Sequence, residues 1–218
     1  MKGRRAASLL LITAGLALCG FAARHYFLGW QAQREARAAF EQSQSGPVAH
    51  ELENPGVALT SSRPASSEPR AGIPDGYPYG EPIARLQIPV AGIDAIVFGG
   101  ADQQILEKGP GHVPGTELPG RSTDLHNCVI TGHRDSHFRH LGWLRPGSEV
   151  DLQAQHVTRR YRVVSREIVA PDAVRVLQPT ASARLTLITC YPFNYVGPAP
   201  RRLVVVAEPK GGSEGGQE

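Results

Sequence analysis

The chain has 218 residues, of which 41% are hydrophobic, enough for one domain of ordinary size with flanking segments. Its net charge of +3 is too weak, and its arginines too scattered, to argue for nucleic acid as a partner. Glycines (24) and prolines (18) favour short strands joined by turns over a helical bundle, and 3 cysteines make no disulfide framework.

Lys2, Arg4 and Arg5 form a basic stretch ahead of an uncharged run from Ser8 to Ala23. That run falls short of the ~20 apolar residues that cross a bilayer. Tyr26, Phe27, Leu28 and Trp30 prolong it, with aromatic residues where a membrane interface would lie. Two readings compete: a cleaved export signal, and an uncleaved anchor with its N-terminus in the cytoplasm. Gly20-Phe21-Ala22 is a mediocre cleavage context, and Leu18 is too large for the position before a lipidated Cys19. The expected organisation is therefore a basic cytoplasmic segment (1–7) and a transmembrane signal anchor (8–28), with cleavage of the segment left open.

Residues 31–45 have helical composition but few apolar positions with which to pack a core, as in a polar juxtamembrane helix. From Gly46 to Gly80 the chain is rich in Pro, Ser, Gly and Glu without sustained period, the composition of a linker. Together 29–80 are assigned to a juxtamembrane helix and a Pro/Ser-rich linker. A folded domain is expected over 81–210, followed by a flexible tail (211–218).

Within that domain, short apolar runs separated by turn signals predict strands over Ile83–Ile88, Ala95–Phe98, Asn127–Thr131, Glu149–Gln153, Arg160–Glu167, Leu185–Thr189 and Leu203–Ala207. Ile105 to Gly109 reads as a short helix or turn. Seven or eight strands without βαβ alternation indicate an all-β fold, a closed or nearly closed barrel.

Three groups that suit acyl chemistry stand at strand ends. Cys190 closes the run Leu185–Thr189 and is followed by Tyr191-Pro192, which cannot continue a central strand. A lone Cys in such a place is by default a small buried hydrophobe, but beside a loop it is placed for reaction. His133 follows Val129-Ile130-Thr131-Gly132 and opens a polar stretch, where most histidines are simply solvated. A thiol is largely protonated at neutral pH, so a cysteine nucleophile needs such an imidazole to take its proton and later to protonate a leaving amine. Arg202 opens the last apolar run, and a permanent cation suits the oxyanion of acyl transfer. Arg201 competes with it, since alternation puts only one of the two on a given face.

Thr131-Gly132-His133-Arg134-Asp135-Ser136-His137-Phe138, Leu187-Ile188-Thr189-Cys190-Tyr191-Pro192-Phe193 and Arg202-Leu203-Val204-Val205 resemble the three signature segments of sortases, the cysteine transpeptidases of bacterial surfaces. The similarity spans about 81–208 and is nearest to the class D-like branch. The lone short N-terminal anchor is similar to the form found in Gram-negative bacteria. The resemblance implies a closed eight-stranded β-barrel with short helices, preceded by one transmembrane helix. It implies Cys190 as nucleophile, His133 as acid/base, Arg202 in preference to Arg201, and Thr189 as a neighbour that assists the oxyanion site. The implied reaction cleaves a C-terminal sorting signal of LPxTG type through a thioester and passes the acyl group to an amine of the cell envelope or of another protein. The implied setting is the inner, cytoplasmic membrane, single-pass, with the catalytic domain in the periplasm.

The same residues allow other readings. His126, Cys128, His133, His137 and His140 lie close in sequence, and His133 and His137 would share a face on a helix, as zinc ligands often do. The segment reads instead as a strand running into a loop, where Cys128 and His133 point to opposite faces. A Cys128–Cys190 disulfide is a further option that nothing in the sequence favours. A hydrolytic cysteine peptidase, or a membrane-tethered barrel that binds a partner without catalysis, would use the same scaffold. No cofactor is called for, and calcium dependence stays open, although no compact acidic cluster argues for it.

Overall fold

The computed structural model describes residues 2–45, 77–121, 126–154 and 156–210. Residues 46–76 of the expected linker and the tail 211–218 lie outside the described residues.

Eight strands close into a barrel: β1 (Pro82–Ile88), β2 (Ile93–Gly99), β3 (Gly111–His112), β4 (Asn127–Gly132), β5 (Glu149–Ala154), β6 (Val157–Val169), β7 (Arg184–Tyr191) and β8 (Arg201–Pro209). Their order around the barrel is β1-β2-β3-β4-β7-β8-β6-β5. All seven predicted strands are present, most extended by a residue or more at their ends. The eighth, β3, escaped prediction because two residues beside Pro110 cannot show an alternating pattern. It exists through close approach: a Cβ on Gly111 would sit 2.2 Å from the Gly100 carbonyl oxygen.

Alternation decides what fills the barrel and what coats it. Leu86, Ile88, Val97, Cys128, Ile130, Leu185, Leu187, Leu203 and Val205 point inward into one contiguous core. Their neighbours Val129, Ile188, Val204 and Val206 form a second apolar cluster on the outer surface, with Val169, under Val176 and Leu177. Strands β4, β7 and β8 are thus buried on both faces, which is why they read as continuous apolar runs rather than alternating ones.

Helix α1 runs over Lys2–Ser45, and a short α2 over Gln103–Lys108 is capped by the Asp102 carboxylate, which accepts from the amides of Gln104 and Ile105. Residues 31–45, expected to have too few apolar positions to pack a core, nonetheless dock on the barrel. Ala36 and Phe40, one helical turn apart, are 7% and 4% exposed and pack on Ile96, Phe98 and Ile105. Gln33 completes the docking through its amide: Oε1 accepts from the Ile96 N–H at 2.8 Å, and Nε2 donates to the Ile96 and Lys108 carbonyls at 3.0 and 2.9 Å. It thereby satisfies the edge of β2 ahead of the point where β3 takes over. Arg37 adds an ion pair to Asp94 at 3.3 Å, which Arg85 also holds at 2.7 Å. Burying one Phe contributes about 1.5–3 kcal/mol, so a few apolar contacts suffice when polar groups complete the seam.

The expected anchor (8–28) falls within α1. Among the described residues no helix is long and apolar enough to cross a membrane.

Candidate active site

The topology brings the three strand ends together. β4 and β7 are parallel, with Gly132 opposite Thr189, so both strands end at the same rim of the barrel. His133 follows β4 at that rim. β8 runs antiparallel to β7 and begins there, which sets Arg202 directly opposite Cys190.

The side chains of Cys190 and Arg202 share a face as well as a rim. Cys190 has the parity of Ile188 and Arg202 that of Val204, on the outer surface of the barrel, and His133 stands one residue past the end of β4. Arg201 pairs with Tyr191 on the opposite parity and is exposed. Between the two arginines, register therefore selects Arg202 as the neighbour of Cys190.

Arg202 is held from behind. Its Nη1 donates to the Ala199 and Arg201 carbonyls at 3.1 and 3.0 Å, and its other N–H groups have no protein partner among the described residues. A guanidinium oriented in this way offers free donors to an incoming oxygen.

Thr189, expected to assist the oxyanion site, precedes Cys190 on β7. It is 1% exposed, on the inward parity, and its hydroxyl donates to the Gly132 carbonyl at 2.7 Å. That hydroxyl is committed to tying β7 to β4 and is turned away from Cys190. Thr131 makes a companion tie, donating to the Ile188 carbonyl at 3.2 Å.

The loop after β4 folds back on itself: Phe138 N–H donates to the His133 carbonyl at 3.0 Å and its ring is fully buried. Only a glycine at position 132 admits that ring, since a Cβ there would meet it at 2.9 Å. His137 lies in the same loop, and burial, with the charge of His133 nearby, holds its imidazole below the usual histidine range.

Arg134, whose role the sequence does not reveal, clamps the other loop of the site. Its guanidinium donates to the carbonyls of Pro192 at 3.1 Å, Tyr195 at 2.7 Å and Gly197 at 3.1 Å. These carbonyls lie between Cys190 and Arg202, so one side chain beside His133 fixes the path joining the other two groups. The Tyr191–Pro192 peptide in that path is cis. Phe193 sets its ring edge-on to Tyr191 and against Gly142. No local sequence signal marks Arg134, because its partners are main-chain oxygens about sixty positions away.

Both Cys128 and Cys190 are free thiols. Cys128 lies inside the barrel, where burial pushes its thiol far up and leaves it inert, whereas Cys190 is partly exposed. A bridge between them would have to join opposite faces of the sheet. Among the described residues no three His, Cys, Asp or Glu side chains gather to hold a metal ion.

Known proteins resemble this arrangement. The sortase domain matches residues 86–210. Sortase D of Bacillus subtilis (strain 168) is 32% identical over 142 residues, covering 65% of this chain and 66% of that protein. The chain thus spans just under two thirds of the length of that curated relative. Among solved structures, a lid mutant of sortase A from Corynebacterium diphtheriae aligns with a TM-score of 0.56 at 29% identity, over 61% of this chain and 72% of that one. Clostridium perfringens sortase C, solved with the C-terminal cell wall sorting motif, aligns with a TM-score of 0.58 at 27% identity, over 63% of this chain and 76% of that one. A Clostridium perfringens sortase D5 transpeptidase shares the fold, with a TM-score of 0.58 at 20% identity, over 84% of this chain and 99% of that one.

Proposed function

Because this chain belongs to the sortase family, we propose that it is a cysteine transpeptidase of the class D-like branch, cleaving an LPxTG-like C-terminal sorting signal and joining the acyl part to an amine. The observation that carries this reading is the meeting of Cys190, His133 and Arg202 at one rim of the barrel, with Cys190 and Arg202 as direct cross-strand partners. The relative named sortase D supports the branch, and the sortase C solved with its sorting motif supports the substrate class.

In the first half-reaction the His133 imidazole takes the Cys190 proton and the sulfur attacks the carbonyl carbon of the scissile peptide bond. Arg202 meets the oxyanion with a charge that cannot be lost at any working pH. Collapse breaks the C–N bond, His133 returns its proton to the departing amine, and the acyl group remains on Cys190 as a thioester. In the second half-reaction an incoming amine attacks the thioester carbon, His133 takes the proton released from it, and the C–S bond breaks to leave a new amide and the free thiol. Water in place of the amine gives hydrolysis.

The same reading makes residues 8–28 a single-pass anchor in the cytoplasmic membrane, with 1–7 in the cytoplasm and the barrel on the periplasmic side. The basic flank at Lys2, Arg4 and Arg5 and the aromatic Phe27 and Trp30 support it. Assignment to the form found in Gram-negative bacteria rests on that segment alone. Carbonate extraction of membranes tests the anchor: release of the chain into the soluble fraction would contradict it. The activity is tested with an LPxTG-type peptide and glycylglycine. A new peptide amide should accumulate with the wild-type chain and be absent with Cys190→Ala; equal product from both would overturn the proposal.

A further inference from the structure

The transpeptidase reading leaves unassigned a groove of about 1020 Å³ that runs from His133 to the N-terminal helix. Trp30 and Arg34 of α1 lie on one wall, and Glu107 of α2, Asp135, His137 and His133 are among the residues opposite, where Arg139 donates to the Asp135 carbonyl and Arg37 is paired with Asp94. Neither Cys190 nor Arg202 lines it. It therefore reaches the acid/base of the site without reaching the nucleophile.

That geometry fits the second substrate better than the first. The sorting signal must lie against Cys190 and Arg202 to be attacked. The acceptor amine, by contrast, must arrive beside a base that takes its proton, and His133 is the base at the end of this groove. The lining chemistry is specific in kind. Trp30 is 54% exposed, and the Arg34 guanidinium lies 4.7 Å from its ring centroid, so the pair offers a flat cationic platform to solvent. The carboxylates of Glu107 and Asp135 form no ion pair among the described residues. A cationic amine is thus favoured by the carboxylates, and an anionic group on the same molecule by Arg34.

We infer that this groove is the acceptor subsite, and that it takes a peptide-like amine bearing a carboxylate, with helix α1 as a working wall of the site. The inference rests on the transpeptidase reading. It also gives the docked helix a role in specificity.

The experiment uses the full chain and separates the two half-reactions. Thioester formation on Cys190 is followed by intact mass with an LPxTG-type peptide and no amine. Transfer is then followed with glycylglycine and with glycylglycinamide, which lacks the carboxylate. Wild type should show the lower KM for glycylglycine. Arg34→Ala should erase that preference by raising the glycylglycine KM about threefold to fivefold, the worth of one exposed charge contact. Trp30→Ala should raise KM for both amines. Both side chains are exposed, and circular dichroism checks that the variants stay folded. Normal thioester formation with unchanged amine KM in both variants would overturn the acceptor subsite alone. Failure of the wild type to form a thioester with any LPxTG-type peptide would remove the transpeptidase reading and the subsite with it.

Discussion

Cys190 and Arg202 face each other across the antiparallel β7–β8 ladder, while Arg201, one residue earlier, pairs with Tyr191 on the other parity. If Arg202 receives the oxyanion, its loss should be far more damaging than that of its neighbour. We predict that Arg202→Ala lowers kcat/KM by about 10²–10³-fold, the usual cost of removing one such donor. Arg201→Ala should stay within a few fold of wild type. Steady-state kinetics of both variants settle the point, and the reverse ranking would mean that the site is built from the opposite face.

Thr189 illustrates how a residue next to the nucleophile can serve the scaffold. Its buried hydroxyl bonds the Gly132 carbonyl and so fixes the register that brings His133 to Cys190. Thr189→Val keeps the shape and leaves that carbonyl unsatisfied, which should destabilise the domain by about 1–3 kcal/mol. Thr189→Ser should recover most of the loss. Urea unfolding measures both. A Thr189→Val protein of unchanged stability and much reduced activity would instead place the hydroxyl in the chemistry.

Arg134 holds three carbonyls of the loop between β7 and β8. Removing it frees the segment that carries Cys190 toward Arg202 without touching either group. Arg134→Ala should therefore lower kcat at an almost unchanged rate of Cys190 alkylation by iodoacetamide. Arg134→Lys should restore little, because one ammonium cannot reproduce the fork of the guanidinium. Loss of alkylation together with activity would show general unfolding of the rim instead.

The pH dependence of stability should be dominated at the acid side by His112. Its ring is fully buried, with Nε2 at 2.8 Å from the Glu117 carbonyl and Nδ1 at 2.7 Å from the Tyr77 hydroxyl. Because a carbonyl only accepts, Nε2 carries the proton and Nδ1 accepts from Tyr77. Burial holds this imidazole down at about 4, below its ordinary 6.5. Between those values the unfolded chain binds the proton and the folded one does not, so stability present above about 6.5 is lost as pH falls toward 4. The loss amounts to ~3 kcal/mol at most. Denaturation midpoints at pH 7.5 and 4.5 should differ in wild type and converge in His112→Gln; equal slopes in the two proteins would contradict the assignment.

The long strands were legible because their burial writes itself into the sequence. Leu185–Thr189 and Leu203–Ala207 are apolar on both faces, and Cys190 and Arg202 stand where those runs meet polar residues. What stayed hidden depends on contacts between distant positions. β3 is two residues held by backbone approach. The docking of α1 turns on Gln33, a polar residue whose amide completes the edge of β2, with Phe40 as the large buried side chain among the helix's described residues. Composition alone therefore reads this segment as solvated. Arg134 was invisible for the same reason, and the inward placing of the Thr189 hydroxyl follows from strand alternation, which puts sequence neighbours on opposite faces.

The central claim is that Cys190 forms a thioester with a sorting signal, and intact-mass spectrometry tests it most directly. The full chain is mixed with LPxTG-type peptides, with and without hydroxylamine, beside Cys190→Ala. The account predicts a mass gain equal to the acyl fragment of the peptide, confined to the chain that retains Cys190 and discharged by hydroxylamine. An adduct of the same size on Cys190→Ala, or a Cys190 that neither acylates with any peptide nor reacts with iodoacetamide, would contradict it.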